Sequence, residues 1–319
     1  MRNAIPAVSP VTADRLLNSY CIGQRQGWSV LKASGPNIRE YLQGQITQDI
    51  TKLTPGQGIY ACVLTPQGKA VGDLYLLTGH DQELILLVPC RCAASAVARF
   101  RQFALGHDVR IGIVGHLGLY SIQGAHAPQA LVDFDLPEPG ANWLATAARE
   151  GADCFVMTMP ADPRGFWLVT AREAFDERLR DSDALTDDAE FEAMRIIRGL
   201  PRFGTEWDES LHPLNANLIE MNGVSFDKGC YVGQEITSRM HWRGTIRKKL
   251  YRVQLDARPE ELPCPIVTEA QVGELRSVAL DPDGQCFGIA LLAVESVKSG
   301  AAMRIGDDGR LTVLGACHA

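Results

Sequence analysis

From Lys249 onward, turn-forming clusters recur before any segment is long enough for a helix. Pro263-Cys264-Pro265, Asp281-Pro282-Asp283-Gly284 and Asp307-Asp308-Gly309 cut this stretch into short pieces. In the first piece Tyr251, Val253 and Leu255 alternate with Arg252 and Gln254, the period of a half-buried strand. Short strands spaced this closely predict a small antiparallel barrel or sandwich of about 70 residues.

Upstream the pattern is mixed. Segments 59–64, 73–77, 84–88, 109–114 and 166–169 read as strands, and 93–103 has helical composition. Ser34-Gly35-Pro36 reads as a helix entrance with Ser34 as N-cap, followed by Ile38, Tyr41 and Leu42 on one face and Gly44 as the stop. A second helix follows Asp187, with Glu190 at capping-box spacing. It carries Phe191, Met194 and Ile197 on one face and stops at Gly199, ahead of Pro201. Segments 135–140 and 160–165 are turn-rich. Mixed elements followed by an all-β end make the chain α+β.

Composition removes several classes. The 319 residues suggest two or three domains. The 31 Lys+Arg against 38 Asp+Glu give a net charge of −7, which excludes a globally basic nucleic-acid coat. The charge-free stretch 111–132 is broken by Gly112, Gly115, Gly118, Gly124 and Pro128, so no membrane span is predicted. The first residues lack a long apolar run and a cleavage signature, so no signal peptide is expected and the cytoplasm is the expected location. The nine cysteines include no CxxC pair, and no dedicated metal site is expected. Neither GxxxxGKS/T nor GxGxxG occurs.

The most informative stretch is Phe226-Asp227-Lys228-Gly229-Cys230-Tyr231-Val232-Gly233-Gln234-Glu235. Gly229 and Gly233 would allow positive φ or close approach of the backbone to a ligand. An extended segment would place Lys228 and Cys230 on one face, where the ammonium would favour the thiolate. Two readings stand on these residues: a functional thiol with Gln234 and Glu235 ordering the loop, or a small core cysteine ahead of a helix cap. Residues 228–252 then carry Lys228, Arg239, Arg243, Arg247, Lys248, Lys249 and Arg252 against the single acid Glu235, a local +6. That asymmetry suits a polyanion such as a folate's glutamate tail, a phosphate or an RNA backbone. It also suits a solvated linker.

The stretch from Lys228 to Glu235 resembles the K-G-C-F/Y-x-G-Q-E hallmark of the YgfZ family. Tyr41-Leu42-Gln43-Gly44-Gln45-Ile46-Thr47-Gln48-Asp49 is similar to that family's amino-terminal LQGQ-x-T-x-D segment, and 195–204 is similar to its R-x-x-x-G-x-P-x-x-G segment. The resemblance implies a three-domain aminomethyltransferase-like fold around a central cavity, ending in an antiparallel β-barrel. The expected division is 1–50 with 113–185, 51–112 with 186–243, and 244–319, with the 228–235 loop on the cavity rim. It further implies a folate-binding accessory protein for iron–sulfur cluster assembly or repair and, indirectly, tRNA modification. Cys230 and Lys228 would be the chemical residues. The partners would be a folate derivative and iron–sulfur client or assembly proteins, with no direct nucleic-acid binding.

Two positions depart from the related glycine-cleavage T-protein. Ile197 stands where that protein has a carboxylate for the pteridine, and Gly72-Asp73 keeps one acid of a pair. Tetrahydrofolate held by Asp73, Arg239, Arg243 and Arg247 would therefore bind more weakly and with salt sensitivity. The alternatives are a folate-dependent one-carbon (aminomethyl) transferase and, more weakly, an RNA-binding module on 239–252. For the last, Trp242 and Tyr251 offer little stacking surface.

Overall fold

The computed structural model describes residues 5–160, 162–306 and 309–318. Its named strands form two five-stranded antiparallel sheets and one closed antiparallel barrel. Among the described residues no helix is long and apolar enough to cross a membrane.

The first sheet runs Cys21–Gln24, Leu117–Gln123, Asp162–Ala171, Cys154–Met159, Thr146–Ala148. Its strands are covered on both faces, so apolar residues run nearly unbroken; every residue of Cys154–Met159 is buried. The pleat divides them between two cores. Val156 and Leu168 pack with the helices Ala127–Asp133 and Arg172–Leu179, while Phe155, Met157 and Trp167 join the core shared with the second sheet. The stretch 160–165, read as turn, holds the start of the Asp162–Ala171 strand. The register shifts between Asp162 and Phe166, and position 161 lies outside the described residues.

The second sheet runs Ile59–Leu64, Ala70–Thr78, Leu84–Pro89, Trp28–Ser34, Arg110–Ile113. The helix Cys90–Gln102 packs on it through Cys92, Ala96 and Phe100. Trp28–Ser34 pairs here, with Leu84–Pro89 and Arg110–Ile113, so the division that put 1–50 with the first unit is corrected. The chain crosses between sheets at 25–27 and returns at 114–116. Arg25, on the first crossing, is 2% exposed and bonds Asp188 at 2.7 Å and Glu192. Non-local pairing of this kind leaves no local pattern in the sequence.

The barrel closes in the order Lys248–Leu255, Cys286–Ala293, Gln271–Leu280, Cys264–Val267, Met303–Ile305, Gly309–Ala316. Tyr251, Val253 and Leu255 face its interior beside Leu275, Leu292 and Leu311, as their alternation predicts. The expected turn at Asp307-Asp308-Gly309 falls on 307–308, outside the described residues. Asn217, at φ +64°, ties the barrel to the rest: its side-chain amide donates to Leu250 O and Cys317 O and accepts from Leu250 N.

Two expected caps differ. The first helix of the second unit is Ile38–Gln43 with Asn37, not Ser34, at its N-cap, because Gly35 takes φ +125° and extends the turn. The helix Asp188–Arg198 ends at Gly199 (φ +76°) as expected, but its capping box does not form. The Glu190 carboxylate instead accepts the backbone N–H of Ser9 at 2.8 Å.

Candidate functional site

The two sequence motifs read separately, 41–49 and 226–235, fold as one unit. Ser225 N donates to Thr47 O at 3.0 Å and Val232 N to Gly44 O at 3.0 Å. The Thr47 hydroxyl donates to Gly223 O at 2.6 Å, and the Gln48 amide to Asn222 O at 2.6 Å. At the centre is Lys228, 8% exposed. Its Nζ donates to the carbonyls of Gln43 (2.7 Å), Ile46 (2.8 Å) and Gln48 (3.0 Å) and lies 5.0 Å from the Tyr231 ring centroid. Burial pulls its pKa down to about 8, opposed by the Asp49 carboxylate.

This geometry corrects the expected role of Lys228. An ammonium with three N–H groups and three carbonyl partners has no donor left for a thiolate. Lys228 is a clasp. Cys230, two residues on, is carried outward and is exposed. Gly229 is exposed, has no atom within 4 Å of a built Cβ and no positive φ. Gly233 does need to be glycine: φ is +84°, and a Cβ would lie 2.6 Å from Thr65 O. Tyr231 is buried, and burial raises its hydroxyl to about 12. Gln234 accepts the Tyr231 N–H at 3.3 Å and opens the helix Gln234–Arg243. Glu235 pairs with Arg239 at 2.8 Å, but both are largely exposed, so the bond is screened. The carbonyls of Gln43, Ile46 and Gln48 leave no mark in the sequence, because a backbone cradle has no side-chain signature.

The positive stretch is largely surface. Arg239, Arg243, Arg247 and Lys248 are exposed, and Lys249 pairs with Glu220. Phe226 and His241 stack at 3.8 Å with an interplanar angle of 11°, and Trp242 meets His241 edge-on at 4.6 Å while remaining 70% exposed. Cys230 thus shares its loop and the following helix with an exposed, basic, partly aromatic surface.

A second locus lies between the sheets. Trp28 and Trp167 pack with centroids 5.2 Å apart, and Tyr75 meets Trp167 edge-on at 4.9 Å. Beside them is a narrow, enclosed cavity of about 10 Å³, room for roughly one water. Arg25, Arg195, Arg198, Gln123 and the two tryptophans form its polar wall. No residue of 228–235 lines it, nor do Arg239, Arg243, Arg247, Asp73 or Ile197, which corrects the expectation that the loop forms its rim. Arg195 is held by Glu206 through both oxygens (2.9 and 3.0 Å) and by Glu192 (3.1 Å). These ions explain the R-x-x-x-G-x-P segment structurally: they pin the helix to the 200–207 turn.

Asp73 is 2% exposed. It accepts the Tyr60 hydroxyl at 2.8 Å, and burial raises its carboxyl to about 6. Among the described residues no group of three or more His, Cys, Asp or Glu is placed to hold a metal ion.

Comparison with known proteins follows the same lines. No family model matches the chain. It is 30% identical over 312 residues to the iron-sulfur cluster assembly factor IBA57, mitochondrial, of Homo sapiens, covering 90% of this chain and 81% of that protein. It is 27% identical over 274 residues to the tRNA-modifying protein YgfZ of Hamiltonella defensa subsp. Acyrthosiphon pisum (strain 5AT), covering 84% and 77%. Among solved structures, the glycine cleavage system aminomethyltransferase T from Bartonella henselae matches with a TM-score of 0.80 at 16% identity, covering 99% of this chain and 90% of that one. At that identity the likeness is one of fold.

Proposed function

Because the chain belongs to the family of the IBA57 and YgfZ proteins, we propose that it is an accessory factor that supports iron–sulfur cluster assembly or repair and, through the enzymes it serves, tRNA modification, with Cys230 as its functional thiol. The observation that carries this reading is the contrast among the cysteines. Cys21, Cys62, Cys92, Cys154, Cys286 and Cys317 are buried and Cys264 is half-buried. Of the two exposed cysteines, Cys90 starts a helix with its Sγ against Ser29 Oγ and Gln26 O, whereas Cys230 stands on a loop fixed from beneath by a buried ammonium. A thiol so presented is accessible to another protein without unfolding. The partner in this reading is an iron–sulfur client or assembly protein, and the cytoplasm is its place of action.

The reading favours an accessory role over one-carbon transfer on the polarity of the cavity. The pterin ring of tetrahydrofolate offers an edge of N–H donors. Among the described residues the cavity wall offers guanidinium and indole donors and no carboxylate. Its volume of about 10 Å³ is far below the several hundred typical of a small-molecule site. Among the described residues, this wall gives the donor edge of a pterin no carboxylate to bond.

The test is the activity of an iron–sulfur enzyme in cells lacking their own copy of this protein, supplied with wild type or Cys230→Ser at matched levels. Cys230→Ser keeps the side chain's size at an exposed position, so the fold should persist while support is lost. Full support by the serine variant would refute the thiol's role.

A further inference from the structure

We propose that the exposed surface running from Cys230 along the helix Gln234–Arg243 docks a short acidic segment of the partner protein, with Trp242 as its apolar anchor. The inference deepens the reading of Cys230 as a thiol presented to a partner, and rests on it. Cations reach this surface from two parts of the sequence. Arg239, Arg243, Arg247 and Lys248 are exposed on the helix and the segment after it. The turn at 65–69 abuts the start of the helix: a Cβ on Gly68 would lie 2.8 Å from the Ile236 side chain, and one on Gly233 would lie 2.6 Å from Thr65 O. That turn brings in the exposed Lys69. The acids between 226 and 248 are Asp227 and Glu235, and Glu235 is taken by Arg239. Among the described residues Lys69, Arg243, Arg247 and Lys248 form no ion pair. Arginines with their forks free select carboxylates or phosphates.

Trp242 decides between those two. It is the exposed member of the chain's five tryptophans, at 70%. It is also held in place, edge-on to His241, whose other contact is the stack on Phe226. A surface for single-stranded RNA offers successive open ring faces. Here the His241 ring is already stacked, and Trp242 stands alone. One fixed, exposed tryptophan among arginines is instead the composition of a protein–protein hot spot. The helix is about 15 Å long, which roughly five extended residues span. A short run of Asp or Glu flanked by an apolar side chain therefore matches the surface in charge, in anchor and in length, and sets the partner beside Cys230.

Disulfide exchange on the full chain tests this with two synthetic peptides, one of Glu and Leu and one of Gln and Leu, each carrying a pyridyl disulfide on a terminal cysteine. The Cys230 thiolate attacks the peptide's sulfur, the new S–S bond forms, and pyridinethiolate leaves and is followed by its absorbance. Peptide mapping separates Cys230 from Cys90, the other exposed thiol. The rate at Cys230 should saturate with the Glu peptide and, at low peptide, exceed that of the Gln peptide by about tenfold or more. Near 1 M salt, where the Debye length is about 3 Å, that advantage should vanish. Trp242→Ala should raise the half-saturating concentration by about tenfold or more, and Arg243→Glu with Lys248→Glu should abolish the preference for Glu. If a variant fails to fold, the wild-type comparison still decides: a rate linear in the Glu peptide, or equal for the two peptides, overturns the proposal. Polyuridylate that protects Cys230 at a lower charge-equivalent concentration than the Glu peptide without its disulfide would assign the surface to RNA and overturn it too. Cellular support by Cys230→Ser is a separate readout. Saturable docking with full support would keep the surface and remove the thiol's role, and linear kinetics with lost support would do the reverse.

Discussion

The 228–235 loop and the intersheet cavity solve opposite problems. The loop presents one thiol, Cys230, to solvent, and its only buried charge, Lys228, is satisfied by neutral backbone carbonyls. The cavity keeps several charges out of solvent, and satisfies them mainly with one another through Asp188, Glu192 and Glu206. Carbonyl partners fix a cation's place without adding a charge that must itself be compensated. A carboxylate partner fixes it more tightly but makes each ion dependent on the next. The loop is thus a local clasp, and the cavity wall is a network whose members fail together.

The sharpest way to break the comparison is at Arg195 and Glu206. Both are buried and joined by two hydrogen bonds. Glu206→Gln should destabilise the fold by about 3–5 kcal/mol, because a buried guanidinium loses its charge partner. Urea denaturation checks this, and a loss below about 1 kcal/mol would mean that the network is not cooperative.

Asp73 gives a smaller effect with a defined sign. Burial holds its carboxyl up at about 6 against the ordinary 3.8. The folded protein therefore binds this proton more tightly than the unfolded chain, and stability falls as pH rises from about 4 through 6. Asp73→Asn keeps an acceptor for Tyr60 and removes the titration. It should stabilise the protein by about 1–3 kcal/mol at pH 7.5 and by little at pH 4. A pH-independent difference between the two proteins would contradict the assignment.

Within the loop, the two glycines should separate. Gly233→Ala places a Cβ against Thr65 O at positive φ and should cost about 1–2 kcal/mol. Gly229→Ala meets nothing and should stay within about 0.5 kcal/mol. Equal costs in thermal melts would mean that the loop is not held as described.

Legibility followed the same division. The barrel was readable because Tyr251, Val253 and Leu255 carry their burial in a local period of two, and the hallmark was readable because its residues are contiguous. The cavity was not. Trp28 and Trp167 lie 139 positions apart in sequence and meet through strand pairing across two sheets. Lys228 stands out in the sequence but its partners do not, since its acceptors are backbone atoms of 43–48, about 180 residues away. Glu190 illustrates the converse: its spacing fits a capping box, but the N–H of Ser9, the N-cap of the distant helix Pro10–Asn18, takes the carboxylate.

The central claim is that Lys228 serves the loop's position and not the thiol. Amide hydrogen exchange in Lys228→Met tests it most directly, at Ser225 and Val232, whose N–H groups bond Thr47 O and Gly44 O. Removing the clasp should speed exchange at both by about tenfold or more, the equivalent of one net hydrogen bond to a charged group, with the barrel unchanged. Unchanged protection at Ser225 and Val232, alongside lost support of iron–sulfur enzymes, would contradict the clasp and return Lys228 to the chemistry of Cys230.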